Sequence, residues 1–400
     1  MIGLLRQRNF ALLWFGGLIS VAGDWVLYAA LPFFVYEQTH STIATAGMIA
    51  AELGPAIVIG SFAGVWVDRL DRRRLLVATN VLQALTVSVL LVVAHGGPLW
   101  IVYAVACAQS VLSSFSQPAE SALLPSLVGP DVLLAANSLT ALNKRIARLV
   151  GVPLGGALLG VFGLAPVVLV DSASFLAAAA MIAAVVAPPR VRSEEATSFF
   201  GEWRAGLSLI RRERAIAVLF AVLALMTFGG TMLDPLYVAW VRDSLHAGPE
   251  IYAVLLTAHS VAGIVSSFAL GTWGSRFSPR LLVGWMSFVA GGALIVKFDV
   301  PVVGLAIALS LLGGATSVIS SIAIETLAQS TVREDFRGRV FAALGASSAL
   351  FSLAGAVVGG VAAHAVGVTP MLNVAAGLVI GAGVVVLHAL RDPYGAPDPA

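Results

Sequence analysis

The sequence predicts an all-α integral membrane protein, with twelve transmembrane helices in two pseudo-symmetric six-helix halves. Three observations predict it. Of 400 residues, 59% are hydrophobic and 11% are charged, with a mean hydropathy of +0.95, whereas a soluble domain carries about 25% charged residues. The apolar residues fall into long runs separated by charges or by Gly and Pro, each near the ~20 residues a helix needs to cross a bilayer. The second half of the chain also repeats features of the first, 204 to 207 residues later.

The elements follow in order. Met1 to Asn9 is short and carries Arg6 and Arg8; the apolar stretch Phe10 to Tyr36 is too long for the core of a cleaved signal and reads as the first span. The first set of spans is placed at 10–35, 42–66, 75–94, 98–124, 134–163 and 165–187. The second set is placed at 215–241, 249–273, 280–297, 301–328, 338–366 and 369–390. Helices are the physical default, because lipid leaves backbone polar groups no partner outside their own segment. A β-barrel would instead show short alternating segments. The predicted domains are 1–187, a cytoplasmic linker 188–214, a second half 215–390 and a tail 391–400.

Lys and Arg set the orientation. With the N-terminus inside, 18 of the 23 basic residues are cytoplasmic, including Arg69, Arg72, Arg73, Arg74, Arg280, Arg337 and Arg339. The opposite side holds Arg242 and Lys297, while Lys144, Arg145 and Arg148 lie in the fifth span. This is a strong positive-inside bias and puts both termini in the cytoplasm. In the linker, Phe199, Trp203, Leu207 and Ile210 share one helical face, as expected of an amphipathic helix lying on the membrane surface.

The repeat is specific. Gly64, Trp66 and Arg69 match Gly271, Trp273 and Arg276 at 207 residues, Arg74 to Val77 match Arg280 to Val283 at 206, and Gly155-Gly156 match Gly359-Gly360 at 204. Two parallel six-helix halves are the architecture of alternating-access transporters.

Composition excludes a soluble enzyme, a disordered chain and a nucleic-acid binder. The single cysteine, Cys107, permits no intrachain disulfide. The two lysines follow no Gly-rich loop, the six histidines are scattered, and no Gly-x-Ser-x-Gly turn occurs. No enzyme, cofactor or metal site is expected.

The residues resemble a family. Gly64-x-x-x-Asp68-Arg69-x-x-Arg72-Arg73 is similar to the signature loop between helices 2 and 3 of the major facilitator superfamily, with Asp71 where the usual pattern has glycine. The stretch Thr42 to Pro55, Leu123 to Val128, Ala136 to Leu139, Asp171-x-x-Ser174-Phe175 and Arg337-Gly338-Arg339-Val340 resemble the branch of bacterial macrolide-efflux and enterobactin-exporter relatives. The resemblance covers about residues 5–390. Two departures concern proton coupling: Ala106 to Ser110, around Gln109, lacks the helix 4 arginine of the better-studied antiporters. In helix 5, Gly151-Val152-Pro153-Leu154-Gly155-Gly156 moves the proline by one place.

Charges inside spans are functional candidates, because a mid-membrane charge costs roughly 2.5–3.5 kcal/mol on insertion scales. Asp24 lies in span 1, Asp234 in span 7 and Glu325 in span 10. The resemblance implies that these helices line a central cavity, so the three acids are candidates for proton or cation coupling. The alternative for Asp24 is a helix-capping or interhelical hydrogen bond near Gly23. Glu52 and Asp171 rank lower, since helices 2 and 6 are expected at the seam or in the scaffold. Asp68 with Gly64, Arg69, Arg72 and Arg73 forms a candidate cytoplasmic latch, which the resemblance directs to the start of helix 11 near Arg337; the arginines alternatively only set topology.

Arg145 and Arg148 share a face of helix 5. They would meet an anionic substrate or pair with Asp68 or Glu120, and the structural pairing is preferred here. Gly151, Pro153, Gly155 and Gly156, with Gly359 and Gly360, form small-residue packing faces; the resemblance adds a role in limiting leak. Trp25, Phe33, Gln109, Tyr237 and Trp240 are candidates for a cavity that takes lipophilic molecules.

The expected function is proton-coupled export of drug-like or natural-product small molecules by a monomer in the bacterial inner membrane, with protons and lipids as its other partners. The alternatives are a lipid or lysolipid transporter of the same fold, or a non-transporting receptor-like protein built on it.

Overall fold

The computed structural model describes residues 2–67, 69–186, 214–273, 277–332 and 337–389. Asp68, the expected surface helix in the 188–214 linker and the tail lie outside the described residues, as do the side chains of Gly64 and Arg337. Long helices fill the rest, and no strand occurs among the described residues. They are α1 (Arg8–Thr39), α2 (Thr42–Val67), α3 (Arg72–Ser88, continued by Leu90–Ala94), α4 (Trp100–Leu127), α5 (Leu133–Phe162) and α6 (Leu164–Ala183). Then come α7 (Arg214–Ala239, ending in a π-turn Trp240–Ser244), α8 (Pro249–Trp273), α9 (Pro279–Asp299), α10 (Val303–Thr331), α11 (Arg337–Val366) and α12 (Val368–Ala389). All but α4 contain a window long and apolar enough to cross a membrane. α4 is diluted by Gln109, Gln117, Glu120 and several serines.

Helix ends have local causes. Asp71, where the family pattern has glycine, is the N-cap of α3: its carboxylate accepts from the Arg74 N–H at 2.8 Å. That cap starts α3 at Arg72, three residues before the start expected from hydropathy. Gly163 and Gly367, 204 residues apart, take φ of 79° and 101° and break α5 from α6 and α11 from α12. His40 and His246, 206 apart, sit at φ of 47° and 51° after α1 and α7.

The chain divides into two compact units. The first comprises Met1–His40, Gly47–Ala196 and Gly248–Ala253; the second comprises Ser41–Ala46, Thr197–Ala247 and Val254–Ala400. In the first unit α1 packs on α5 and α6, and α3 packs on α4 and α6. Phe10, Leu13, Trp14, Leu76, Leu123 and Leu139 form a core there. In the second unit α7 packs on α11 and α12, and α9 packs on α10 and α12. Val218, Leu219, Val222, Val283, Leu327 and Val386 form its counterpart.

The packing chemistry repeats residue by residue. A Cβ on Gly151 or Gly155 would strike the α1 backbone at Ala22 and Val26, and one on Gly355 or Gly359 would strike the α7 backbone at Phe228 and Met232. A Cβ on Gly156 would meet Pro249 and Ala253, and one on Gly360 would meet Thr42 and Ala46. Thr42 Oγ1 also donates to the Gly360 carbonyl at 2.8 Å. Lipid removes the hydrophobic drive for helix pairing, so close backbone approach at small residues supplies the contact.

Arginines complete the symmetry. Arg73 Nε donates to the Ile182 carbonyl at 3.4 Å and its Nη2 to that of Ala183, at the C-terminus of α6. Arg280 does the same to Val386, at 3.4 Å, and Leu387, near the end of α12. Arg280 is therefore the counterpart of Arg73, one register place from the pairing with Arg74 that sequence alignment gives. Arg72 donates to the Ala122 carbonyl of α4 at 2.8 Å. These cations satisfy helix-end carbonyls at the negative end of the dipole. Arg280→Ala should lower unfolding stability by about 1–2 kcal/mol. Arg74→Ala, at an exposed side chain, should change it by less than about 0.5 kcal/mol. Thermal unfolding of the purified variants in one detergent checks this; equal losses would remove the capping account.

Candidate functional site

Three faces of α1 have three different neighbours. Gly23 turns to α6, where Ser174 Oγ and Asp171 Oδ1 occupy the space that a Cβ would take. Ala22, Trp25 and Val26 turn to α5, drawn in by Gly151 and Gly155. Asp24 falls between these packed faces, and its side chain is exposed and not packed against them. Its carboxyl is near enough to Glu52 of α2 and to Asp171 to interact electrostatically with both. Three carboxyls from α1, α2 and α6 thus share one neighbourhood.

Asp171 is fully buried. The Ser174 hydroxyl donates to its backbone carbonyl at 2.7 Å and lies 3.5 Å from Oδ1, while Oδ2 has no hydrogen-bond partner. Glu52 and Asp171, ranked lower on their helices alone, thus stand within electrostatic reach of Asp24. Hydropathy places a residue on a helix but does not say which neighbour its face meets.

Aromatic groups adjoin Asp24. Trp25 and Tyr28 meet edge to face with centroids 4.9 Å apart. The Arg148 guanidinium of α5 lies 4.6 Å over the Trp25 ring. The expected pairing of Arg148 with Glu120 is not what the structure holds: Glu120 has Lys144 as its cationic neighbour and packs 3.5 Å from the Cβ position of Gly17. Close by, α1 and α5 are tied by Trp14 Nε1 donating to the Leu139 carbonyl at 2.9 Å and Asn143 Nδ2 to that of Trp14 at 2.6 Å. Arg145 and Arg69 are exposed, and Pro153 sits between the two glycine contacts of α5.

Other expected cavity residues are placed differently. Phe33 is fully buried against Tyr252, with centroids 5.9 Å apart. Trp240 is fully buried and donates to the Phe298 carbonyl at 3.1 Å. Gln109 donates to the Gln83 carbonyl at 2.9 Å, tying α4 to α3. These three act as packing and cross-linking groups. In the second unit Asp234 is half-buried on α7 and Glu325 is exposed on α10.

Sequence reading missed Lys297 altogether. Counted as an outer-surface charge, it is buried, with Nζ donating to Tyr237 Oη at 2.7 Å and Ser310 Oγ at 2.8 Å, and lying 4.3 Å over the Tyr237 ring. Its place in the last turn of α9, within an apolar run, was the one available signal. Among the described residues, no group of three or more His, Cys, Asp or Glu side chains has an arrangement that would hold a metal ion.

The two-unit helical architecture and its repeat agree with a match to the family described as transmembrane secretion effector, spanning residues 2–396. The chain belongs to this family of the major facilitator superfamily. Its members are transporters, not enzymes, and this one is a multi-pass membrane protein. It is 24% identical over 389 residues to macrolide efflux protein A of Streptococcus pyogenes, covering 95% of each chain. It is 27% identical over 403 residues to enterobactin exporter EntS of Citrobacter koseri, covering 96% of this chain and 93% of that one. Among solved structures, it resembles the inward-facing bacterial homologue of the iron transporter ferroportin, with a TM-score of 0.70 at 19% identity, covering 95% and 98% of the two chains. The nucleoside transporter NupG gives 0.78 at 10% identity, covering 96% and 100%. At these identities the structural likenesses establish the fold of this superfamily member and nothing finer.

Proposed function

We propose that this major facilitator protein is an exporter of lipophilic drug-like or natural-product molecules, driven by proton entry across the bacterial inner membrane, with Asp24 as the coupling carboxyl. The observation that carries the reading is the exposed Asp24 on a membrane-spanning helix, with Trp25 and Tyr28 offering aromatic surface beside it. Relatives named for macrolide and enterobactin export support the direction of transport and the substrate class.

The chemistry follows from the cost of a charge away from water. A carboxylate in a membrane segment is tolerated when a proton or a substrate cation neutralises it. A proton and any cationic group of the substrate therefore compete for Asp24, and that competition is one that an antiporter can use. Glu52 and Asp171 give an arriving proton two further oxygen sites on the same unit. One proton crossing 100 mV supplies about 2.3 kcal/mol, enough for a roughly fiftyfold substrate gradient. The positive-inside pattern supports an orientation with both termini in the cytoplasm.

Inside-out vesicles of an efflux-deficient host, loaded with the protein and given a macrolide or a lipophilic dye, test the reading. Energisation should drive accumulation that collapses on adding a protonophore. Accumulation that survives the protonophore, or none for any compound in a broad panel, would reject proton-driven export.

A further inference from the structure

We propose that Arg148, stacked on Trp25, is the receptor for an anionic group carried on an aromatic or apolar transported molecule. The inference deepens the reading above and rests on the Asp24 neighbourhood being the substrate site.

The geometry begins with glycine. Gly151 brings α5 onto the α1 backbone at Ala22 and Val26 and against the Trp25 Cβ, and Arg148 lies one turn earlier on the same face of α5. The guanidinium lies across the indole, 4.6 Å from the ring centroid. Nε is buried and has no hydrogen-bond partner. Among the described residues Arg148 has no carboxylate partner; the acid beside it on α1, Asp24, has Glu52 and Asp171 as its charged neighbours. A half-buried guanidinium in a membrane segment retains five N–H donors in a planar fork. Stacking on indole offsets part of its lost hydration but satisfies none of those donors. A bidentate anion, such as a carboxylate, sulfonate or phosphate, would match that fork and reach the unpartnered Nε.

The repeat separates scaffold from function. The glycine contacts of α5 recur in α11, 204 residues on. The charges do not. The position matching Arg148 is Ser352, and those matching Asp24, Trp25 and Asp171 are Gly230, Thr231 and Ala375. A guanidinium needed for packing would have a counterpart where the same packing is built again; this one is confined to the unit that holds the carboxyls. Trp25 and Tyr28 supply the surface for the apolar part of the molecule, so an anion on a ring system meets its charge partner and its platform together.

The test uses two dyes with the same ring skeleton, anilinonaphthalene sulfonate and its uncharged analogue phenylnaphthylamine. Binding is read by energy transfer from protein tryptophan in phosphatidylcholine nanodiscs, with empty discs as blank. The wild type should prefer the sulfonate. In Arg148→Gln the ratio of sulfonate to neutral affinity should fall about tenfold, and Arg148→Lys should restore part of it. Equal losses of both dyes, an unchanged ratio, or no sulfonate binding by the wild type would overturn the proposal. Repeating the titration with phosphatidylglycerol in the disc separates sources: if that lipid displaces the sulfonate, the anion is a headgroup and the proposal fails. Proton-driven movement of the neutral dye in vesicles is scored separately. A wild type that binds the sulfonate through Arg148 but moves neither dye keeps the anion site and rejects the export reading.

Discussion

Asp24→Asn is expected to abolish uphill export while sparing counterflow. The amide keeps the size of the carboxyl and its position on α1 but carries neither a charge nor an exchangeable acid proton. Gly23 and Trp25 remain in contact with α6 and α5, so the helix has no packing reason to move. Substrate movement down its own gradient needs the conformational cycle alone; movement uphill needs the proton. The accumulation ratio should therefore fall from tens to about one, since roughly 2.3 kcal/mol per proton at 100 mV is lost. Neutral substrates should still bind, and cationic ones should bind less well. The measurement is active efflux and counterflow of one substrate in the same vesicles at several external pH values. Wild-type uphill export with wild-type pH dependence would make Asp24 structural and move coupling to Asp234, Glu325 or another ion. Asp171→Asn and Glu52→Gln, run beside it, show whether the neighbouring carboxyls share the proton.

A second large effect is expected at Gly155. A side chain there has no room: a Cβ would overlap the Val26 carbonyl of α1. Neither partner yields cheaply, because both are helix backbone. Gly155→Val should separate α1 from α5 and cost more than about 3 kcal/mol, which for a marginally stable protein is loss of the folded form. Gly292 provides the contrast: it is also inside a helix, α9, but nothing lies within 4 Å of its Cβ position. Gly292→Ala should be neutral or stabilising by up to about 1 kcal/mol, since alanine loses less backbone freedom on folding. Monodisperse yield after detergent extraction and the unfolding midpoint read both variants. If Gly155→Ala behaves like Gly292→Ala, close helix approach is not what fixes this pair.

The apolar spans and the repeat were legible in the sequence. Those are properties of local composition: a run of apolar residues long enough to cross lipid becomes a helix whatever surrounds it. The glycine pairs of α5 and α11 were equally legible, because a small-residue face at helical spacing has one common use. Asp24 stood out for a similar reason, as an acid in an apolar run.

Tertiary structure decided which groups meet. Arg148 sits over Trp25 instead of pairing with Glu120, Asp171 stands beside Asp24, Lys297 is buried against Tyr237, and Trp240 and Phe33 are core. Each outcome depends on the rotational phase of one helix against another. At 100° per residue, a shift of one position changes the neighbour completely, yet leaves hydropathy and spacing almost untouched. That phase is set at close glycine contacts, Gly23 against the Asp171 and Ser174 side chains and Gly151 and Gly155 against the α1 backbone at Ala22 and Val26. A single sequence shows that these glycines exist. The group each one rests on belongs to a distant part of the chain, and only the packed fold brings it there.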